Sequence, residues 1–407
     1  MNPWRGLAGL PRGLWVVCAT VLINRSGTMV LPFLALYLTG ERGFSPAEAG
    51  LTITLYGLGA LVIAPIAGWL CDRLGAQRIM EWSLLLAGGL MLLYPHVEGK
   101  HAIMAMTPAL AILGEAFRPA SMALLSDLAP KDKLKAAFAL NRLAVNLGMS
   151  IGPAVGGFLA MWSFATLFYV DGATSILAGL VFAVTGRTSA ATPGAVHSVA
   201  HPAPGAPSQR LLAGFSDKRL LFFLGAMIPV LIVFFQHQAT MPLYLVRDAG
   251  MTTAAYGLLF TINTGLIIFL EVPLNLAMAG WPHRRALPLG AFLTAAGFGA
   301  LAVTSSAWGV AATVVLWTFG EMILLPGSSA YVAEIAPPRR RGEYMGFYSM
   351  SFSVSFASGP ALGARIYERF GGMVLWCAVF LCGCLSAAML TRIPEEPPGT
   401  TAGSSPT

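Results

Sequence analysis

The chain has 407 residues, of which 56% are hydrophobic and only 11% are charged, and its formal net charge at pH 7 is +7. One water-soluble core cannot bury so much apolar surface, so most of that surface must face lipid. The composition therefore indicates an integral membrane protein and excludes a soluble enzyme or binding domain.

Polar clusters divide the chain into twelve apolar segments, each close to the roughly 20 residues that cross a bilayer as a helix. The spans are predicted near residues 14–38, 46–70, 79–96, 101–127, 137–160, 164–185, 219–245, 253–279, 286–304, 308–334, 343–366 and 370–391. The first segment is longer than the apolar region of a signal peptide and is followed at once by another span. It is therefore predicted to remain in place.

Lysine and arginine are concentrated on one side of the predicted spans, and cytoplasmic loops carry such an excess. On that side, with both termini, lie Arg73, Arg78, Lys131, Lys133, Lys135, Arg142, Arg187, Arg210, Lys218, Arg219, Arg284, Arg285 and Arg339 to Arg341. The other side holds Arg42, Lys100, Arg247, Arg365 and Arg369. Both termini are therefore predicted to be cytoplasmic, in a cell inner (plasma) membrane. The asymmetry explains the positive net charge without a nucleic-acid partner.

The cysteines lie in or at the ends of apolar helices, and no metal-ligand grouping surrounds them. They are Cys18, Cys71, Cys377, Cys382 and Cys384. We interpret them as buried apolar side chains, and we predict no metal and no cofactor.

The chain repeats itself at an offset of 207 residues. At this offset Leu36-Tyr37-Leu38 coincides with Leu243-Tyr244-Leu245, Gly50-Leu51 with Gly257-Leu258, and Gly152-Pro153 with Gly359-Pro360. Two copies in parallel orientation are indicated. The predicted architecture is all-α: a six-helix bundle at 1–186, a flexible cytoplasmic linker at 187–216, a second six-helix bundle at 217–393 and a disordered tail at 394–407.

A loop motif carries the first family resemblance. The stretch "GWLCDRLGAQR" (68–78) resembles the loop signature of the major facilitator superfamily, with matching residues Gly68, Asp72, Arg73, Gly75 and Arg78. The two glycines suit a tight turn with close approach of helices, and Asp72 could meet a helix N-terminus or a base from the other bundle. The alternative is a loop that is simply basic. We predict that this motif is a cytoplasmic gate.

A second motif lies in the fifth predicted helix. The stretch "GMSIGPAVGG" (148–157) resembles the antiporter signature of the same superfamily, through Gly148, Gly152, Pro153, Gly156 and Gly157. Small residues let helices pack closely, and the proline removes a backbone hydrogen bond. In the superfamily this element is associated with efflux by exchange.

The resemblance extends over essentially the whole chain and is greatest to bacterial twelve-helix drug:proton antiporters. The stretch "APPRRRGEYMGFYS" (336–349) resembles the loop before the eleventh helix in that branch. The resemblance implies the major facilitator fold and a monomer in the lipid bilayer, whose partners are a small-molecule substrate and protons.

Polar side chains inside predicted spans are costly, at least ~2.5 to 3.5 kcal/mol for a charge, and usually serve function. The candidates are Arg25, Glu115, Arg118, Gln236, His237, Gln238 and Glu321. All of them fall on the first, fourth, seventh and tenth helices, which line the central pathway in the superfamily. The repeated "GE" at 114–115 and 320–321 is predicted to supply one carboxylate from each half to a shared polar cavity.

Each candidate has a structural alternative. Glu115 and Arg118 are three residues apart and could neutralise each other. Arg25 could bind an anionic group or be a structural partner of either glutamate. His237 could titrate near neutral pH or serve as a hydrogen-bonding cavity wall.

Glu321 is the favoured proton carrier, because no basic residue lies three or four positions away and burial then favours the protonated acid. A fixed ion pair with Arg25 is the alternative. Glu271 and Asp171 lie off the pathway helices and are predicted to hold helices together, although Glu271 could also reach the cytoplasmic gate.

Aromatic side chains on or beside the pathway suit an amphipathic or aromatic substrate, although any one of them could face lipid. They are Phe33, Tyr37, Tyr56, Phe117, Phe234, Phe235, Tyr244, Trp317 and Tyr331.

The leading functional prediction is a proton-coupled exporter of small amphipathic compounds that rocks two halves around a midplane site. The alternative is a uniporter or proton symporter for a sugar, peptide or organic acid. An enzyme or receptor is disfavoured because the sequence has no nucleophile-base pair, phosphate loop or metal cluster. A channel is disfavoured because no ring of pore residues repeats.

Overall fold

The computed structural model describes residues 9–130, 133–186, 217–337 and 340–394. The predicted linker at 187–216 and all but the first residue of the predicted tail at 394–407 lie outside the described residues. The described residues form helices joined by short turns. We number the long helices α1 to α11.

The first six helices correspond to the first half of the repeat. They are α1 (Arg12–Gly40), α2 (Pro46–Leu74), α3 (Ala76–Leu93), α4 (Lys100–Leu128), α5 (Leu134–Ala160) and α6 (Phe164–Gly186). We call this group the N-lobe. Two of these helices are broken, α1 into Arg12–Gly27 and Val30–Gly40, and α4 into Lys100–Glu115 and Phe117–Leu128.

The second half contains α7 (Lys218–Gln238), α8 (Thr253–Ala277), α9 (His283–Gly299), α10 (Ala307–Ile335) and α11 (Arg341–Leu390). We call this group the C-lobe. Helix α11 covers both of the last two predicted spans. Its backbone leaves helical geometry at Gly371, where φ is +81°, a conformation that favours glycine.

Among the described residues, ten helices are long and apolar enough to cross a membrane. Helix α3 is not one of them, because polar residues near its start, Gln77, Arg78 and Glu81, lower its mean hydropathy. The ten helices agree with the predicted positions of the spans. Twelve crossings, which require α3 to cross and α11 to cross twice, stay a prediction.

The outer surface of the helices is apolar. Val62, Phe269, Leu276 and Leu381 are large hydrophobic side chains that are each more than half exposed. Water would not tolerate so many exposed apolar groups, whereas lipid does. The prediction that most of the apolar surface faces lipid is consistent with this exposure.

Prolines explain the breaks in α1 and α4. Pro32 cannot donate a hydrogen bond to the carbonyl of Thr28, and Pro119 cannot donate one to the carbonyl of Glu115, four residues earlier. Each break therefore falls four residues before a proline. Arg25 lies just before the first break and Glu115 at the second, so two candidate charges sit where the helical backbone is interrupted.

Asp171 of α6 stabilises the break in α1. Its Oδ2 accepts hydrogen bonds from the backbone N–H groups of Met29 (3.1 Å) and Val30 (3.2 Å), which the break leaves without helical partners. The prediction that Asp171 holds helices together is consistent with this contact.

The two lobes meet along two helix pairs, α2 with α11 and α5 with α8. A Cβ at Gly50 of α2 would lie 2.7 Å from the carbonyl oxygen of Pro360 in α11, and a Cβ at Gly257 of α8 would overlap the carbonyl oxygen of Pro153 in α5. Gly50 and Gly257, like Pro153 and Pro360, differ by 207 in number. Two of the sequence repeats, Gly50 with Gly257 and Pro153 with Pro360, are therefore residues at which the lobes cross.

The connections between α2 and α3, α4 and α5, and α8 and α9, with the helix ends beside them, carry Arg73, Arg78, Lys133, Arg284 and Arg285 and share one end of the bundle. We call it the basic end; it is the end predicted to be cytoplasmic. At the opposite end Oε2 of Glu368 accepts hydrogen bonds from Ser45 Oγ (3.1 Å) and from the backbone N–H of Ala47 (2.6 Å). The lobes are closed against each other at this opposite end.

Candidate functional site

A large cavity lies on the inner face of the N-lobe and extends from Glu115 toward the basic end. Its volume is about 430 Å³. Its walls come from α1, α4 and α5: Val21, Arg25, Glu115, Phe117, Arg118, Ser121, Met122, Phe138, Asn141, Arg142, Val145 and Met149. We call it the N-lobe cavity. It combines apolar walls with four charged side chains, as small-molecule sites do.

Glu115 is held mainly by a tyrosine. The hydroxyl of Tyr56 in α2 donates to Glu115 Oε1 at 2.9 Å, whereas the nearest nitrogen of Arg118 lies 3.9 Å from Oε2. The Arg118 side chain is 70% exposed. Glu115 and Arg118 are neighbours, as predicted, but the arginine extends into the cavity and makes only a long ion pair.

Arg25 also faces the N-lobe cavity, with its guanidinium carbon 5.8 Å from the centre of the Phe117 ring. Among the described residues it forms no ion pair, with Glu321 or with any other carboxylate. The predicted alternative of a fixed Arg25–Glu321 pair is therefore wrong for this conformation. Arg25 shares its cavity with Glu115 instead.

The antiporter-like glycines hold α5 against α1 beside Arg25. A Cβ at Gly148 would overlap the Arg25 side chain, one at Gly152 would lie 2.8 Å from the Thr28 carbonyl oxygen, and one at Gly156 would lie 3.0 Å from Met29 Cβ. A Cβ at Gly157 would overlap the Thr253 carbonyl oxygen in α8. These contacts have the close packing expected of a small-residue face, toward both α1 and the C-lobe.

Glu321 lies in different surroundings. Its Oε2 accepts a hydrogen bond of 2.9 Å from Asn263 Nδ2 of α8, and the same amide lies 3.0 Å from Thr318 Oγ1. Glu321 is not one of the residues that line the N-lobe cavity. The two glutamates thus do not line one shared cavity in this conformation.

A small aromatic pocket in the C-lobe contains His237. It is lined by His237, Met241, Tyr256, Leu259, Phe260, Asn263 and Trp317. His237 Nδ1 lies 2.6 Å from the Phe234 carbonyl oxygen, Nε2 lies 2.7 Å from Gln238 Nε2, and the imidazole stacks on Trp317. These contacts fit the predicted hydrogen-bonding wall.

Gln236 does not face either cavity. The residue is 1% exposed, and its Nε2 donates to the carbonyl oxygens of Ile232 (2.9 Å) and Gly359 (3.0 Å) while Oε1 accepts from Thr240 (2.7 Å). It ties α7 to α11 rather than lining the pathway.

The loop motif lies at the basic end, where α2 ends and α3 begins. Gly75 has φ +88°, so the tight turn requires glycine there. Arg73 packs over the Trp69 ring at 4.3 Å. A Cβ at Gly68 would meet no atom within 4 Å, so the predicted close approach at Gly68 is wrong for this conformation, because no helix packs there.

The structure adds an ion pair between the lobes that the sequence reasoning missed. Arg142 of α5, assigned only to a basic loop, contacts Oε1 of Glu271 in α8. The Glu271 side chain is 8% exposed and that of Arg142 is 60% exposed. Glu271 was expected to hold helices together, but its partner could not be named from sequence.

Two polar partners of the glutamates were also missed. Tyr56, noted only as an aromatic residue, and Asn263 differ by 207 in number, so the repeat itself contained the signal. Of the other aromatic candidates, Tyr37 packs in the core against Tyr94 and Phe168. Phe117 and Trp317 line cavities, as expected.

Comparison with known proteins fits this architecture. The family model of the Major Facilitator Superfamily matches residues 16–270 and 234–406. The chain therefore belongs to the major facilitator superfamily, whose members are transporters and not enzymes. It is a multi-pass membrane protein.

Two curated relatives match over nearly the whole chain. The uncharacterized MFS-type transporter YqjV of Bacillus subtilis (strain 168) is 25% identical, over 97% of this chain and 94% of the relative. The multi-drug resistance efflux pump PmrA homolog of Lactococcus lactis subsp. lactis (strain IL1403) is 26% identical, over 90% and 91%. The crystal structure of peptide transporter POT in complex with sulfate matches with a TM-score of 0.74 and 19% identity, over 96% of each chain, which shows a common fold.

Proposed function

We propose that this protein exports small amphipathic compounds in exchange for protons, by alternating access between its two lobes. The observation that carries the proposal is the contrast between its two pathway glutamates. Glu115 shares a cavity with arginines, whereas Glu321 is bonded to a neutral amide.

Glu321 has the surroundings of a group that can gain and lose a proton. Among the described residues it forms no ion pair, and an ionised carboxylate without a cation is costly inside a membrane. Protonation removes that cost. The Asn263 amide offers both a donor and an acceptor, so it can bond either form of the acid. Glu321 can therefore change its charge without loss of its hydrogen bond to Asn263.

Contacts at the opposite end support a rocking motion of the lobes. Glu368 binds Ser45 and Ala47, and Thr253 Oγ1 donates to the Gly157 carbonyl oxygen at 2.8 Å. Apolar side chains also join the lobes there, for example Phe33 of α1 and Tyr256 of α8, whose ring centres are 5.4 Å apart. The rocking motion must therefore separate both the polar and the apolar contacts. The N-lobe cavity would then open to the opposite side.

The direction of transport rests on two lines of support. The glycine motif of α5, which packs against both α1 and α8, resembles an element associated with efflux by exchange. A relative that matches over most of its length is named as a multidrug efflux pump homologue. We propose export, from a plasma membrane in which the basic end and both termini are cytoplasmic.

The remaining predictions belong to the same proposal. The loop motif with Asp72 and Arg73 gates the basic end, the two bundles at 1–186 and 217–393 move as separate units, and the transporter works as a monomer.

Replacement of Glu321 by glutamine tests the proton-carrier role. Glu321→Gln mimics the protonated acid and keeps the hydrogen bond to Asn263, so we expect the variant to fold and bind substrate. We expect transport driven by a pH gradient into proteoliposomes to be abolished. Exchange of labelled for unlabelled substrate without a gradient should continue, because exchange needs no net proton movement.

Glu115→Gln is the matched control, since it removes the carboxylate of the other "GE" pair, on the corresponding helix of the N-lobe. We expect it to retain some proton-driven transport. Full proton-driven transport by Glu321→Gln would falsify the assignment and transfer the role to Glu115 or His237.

Intact cells distinguish export from the alternative of uptake. A protonophore should increase the accumulation of an exported compound and decrease that of a compound taken up by proton symport. A facilitated uniporter would show no effect of the protonophore.

A further inference from the structure

We propose that the N-lobe cavity binds an amphipathic organic anion: a compound with a carboxylate or chemically similar group, a neighbouring hydroxyl or N–H donor, and an apolar body. This inference rests on the proposed function, because it names the class of substrate that the exporter carries.

The cavity contains more arginines than carboxylates. Three arginines line it, Arg25, Arg118 and Arg142, together with one carboxylate, Glu115. Glu271 pairs with Arg142 from the other lobe. Two carboxylates thus face three guanidinium groups within this cavity. A further carboxylate, Asp171, lies beside Arg25 in the adjoining cavity, but its Oδ2 is occupied by the backbone N–H groups of Met29 and Val30.

Arg25 is the group that most needs a partner. Among the described residues its guanidinium forms no hydrogen bond and no ion pair within 4 Å, and it packs over the Phe117 ring. A guanidinium offers five N–H donors in a planar fork that matches a carboxylate. Inside a membrane such unpaired donors are costly, and an anionic ligand would satisfy them.

Asn141 supplies a second unsatisfied polar group. It lines the same cavity and is 3% exposed, and its Oδ1 has no hydrogen-bond partner among the described residues. Buried polar atoms are normally paired. A ligand hydroxyl or N–H could donate to this oxygen.

The remaining walls are apolar. Phe117, Met122, Phe138, Val145 and Met149 surround the polar groups. Methionine and aromatic side chains adapt to apolar bodies of different shape. The cavity therefore suits one anionic end and one apolar end.

The C-lobe has no equivalent of this arrangement. At an offset of 207 the three arginines correspond to Ile232, Leu325 and Ser349. The cluster of three arginines is thus a property of one lobe, and the anionic end of the substrate should lie against α1, α4 and α5.

Three fluorescent probes with one aromatic body test the charge preference: dansylglycine, its neutral amide dansylglycinamide, and the cationic N-(2-aminoethyl)dansylamide. Binding is measured at equilibrium on the purified full-length protein in lipid nanodiscs, without an ion gradient. We expect dansylglycine to bind about tenfold or more tightly than the other two, as for a charge-assisted bidentate contact. Equal or weaker binding of dansylglycine, or the absence of saturable binding, overturns the proposal.

Substitutions then locate the anionic group. Arg25→Gln should weaken dansylglycine about tenfold and change dansylglycinamide less than about twofold. Arg25→Lys should retain part of the preference. Arg247→Gln, an exposed arginine at the opposite end, should change nothing. Equal weakening of all three probes by a folded Arg25→Gln contradicts the assignment. If Arg25→Gln does not fold, the wild-type ranking of the three probes still tests the preference for an anion. Arg118→Gln then tests whether an arginine of this cavity provides that preference.

The donor group is tested with dansylserine and dansylalanine, which differ by one hydroxyl. We expect the wild type to prefer dansylserine and Asn141→Ala to lose that preference. An unchanged preference in Asn141→Ala removes Asn141 from the site.

The two proposals fail separately. Loss of anion preference together with loss of proton-driven transport in Glu321→Gln would leave the exporter and remove the anion site. Intact anion preference together with full proton-driven transport in Glu321→Gln would leave the anion site and remove the assignment of Glu321 as proton carrier.

Discussion

The two lobes have similar backbones at their crossings and different chemistry at their centres. Gly50 and Gly257 occupy equivalent places where the lobes cross, against Pro360 and Pro153 respectively. Arg25, in contrast, corresponds to Ile232. The close approach of backbones at the crossings requires a glycine in each lobe and so preserves the repeat there. The polar side chains of a cavity, in contrast, can come from one lobe alone.

The polar partners of the two glutamates differ in the same way. Glu115 accepts from a tyrosine hydroxyl among arginines, and Glu321 accepts from an asparagine amide without a cation. Equivalent helices thus place a carboxylate near the centre in both lobes. We propose that they serve different tasks, substrate binding in the N-lobe and proton transfer in the C-lobe.

The first helix of each lobe, α1 and α7, is stabilised by different contacts. The largest expected effect on the free energy of unfolding follows from this difference. In the N-lobe Asp171 binds two backbone N–H groups at the break in α1, whereas its counterpart at an offset of 207 is Ala378. Asp171→Ala leaves two buried donors unpaired, so we expect a loss of about 2 to 5 kcal/mol in the free energy of unfolding. Thermal unfolding in lipid nanodiscs measures it.

Asp171→Asn is the control, because it keeps an acceptor oxygen and should lose less than Asp171→Ala. In the C-lobe Gln236 ties α7 to α11 with neutral hydrogen bonds, so Gln236→Ala should also cost less. Equal losses in Asp171→Ala and Asp171→Asn would show that the acceptor is not what stabilises the break.

The crossings give the next largest effect. Gly50→Ala and Gly257→Ala each place a methyl group against a backbone carbonyl that cannot rotate away. We expect each to cost about 1 to 3 kcal/mol, the range for overpacking, and the two losses to be similar because the crossings are equivalent. The measurement is again thermal unfolding, together with cross-linking at the opposite end to detect lobe separation.

Gly265→Ala, on the same helix as Gly257, is the matched control. A Cβ there meets no atom within 4 Å, and alanine favours a helix over glycine, so stability should stay or rise. If Gly265→Ala lost stability while Gly50→Ala and Gly257→Ala kept it, the short distance between backbones at the crossings would not be what requires glycine.

The smallest expected effect concerns the helix starts. Asp217 caps α7 by accepting from the N–H groups of Arg219 and Leu220, and Tyr344 of α11 donates to it at 2.5 Å. Helix α1 begins after Pro11 without a side-chain cap. Asp217→Ala should cost about 1 kcal/mol, as for other N-caps, with no counterpart in the N-lobe.

The pH dependence of the Asp217 contribution follows from its hydrogen bonds. Burial opposes ionisation, but the Tyr344 hydroxyl and the two backbone N–H groups outweigh it and hold the pKa of Asp217 below its ordinary value. A lowered pKa in the folded protein stabilises it above the unfolded pKa of about 3.9, and this stability is lost as the pH falls further. The difference in the free energy of unfolding between wild type and Asp217→Asn should therefore be constant from pH 7 to about 5 and shrink below about pH 4. A difference that grows on acidification contradicts it.

The sequence by itself determined the membrane class, the positions of the ten apolar helices, the repeat and the family. Hydropathy over one span and the glycine-proline spacing are local properties, so they can be read without coordinates. The positions of Glu115 and Glu321 on pathway helices could also be predicted from the sequence, because a charged residue stands out within an apolar segment.

Only the tertiary structure decided the partners. Tyr56 with Glu115, Arg142 with Glu271, and Asp171 with the backbone of Met29 and Val30 join residues far apart in the chain. Each pairing depends on the rotation of two helices about their own axes and on where prolines interrupt them, and neither follows from hydropathy. For the same reason the separation of the two glutamates into different surroundings, and the gathering of three arginines in one lobe, required the packed helices.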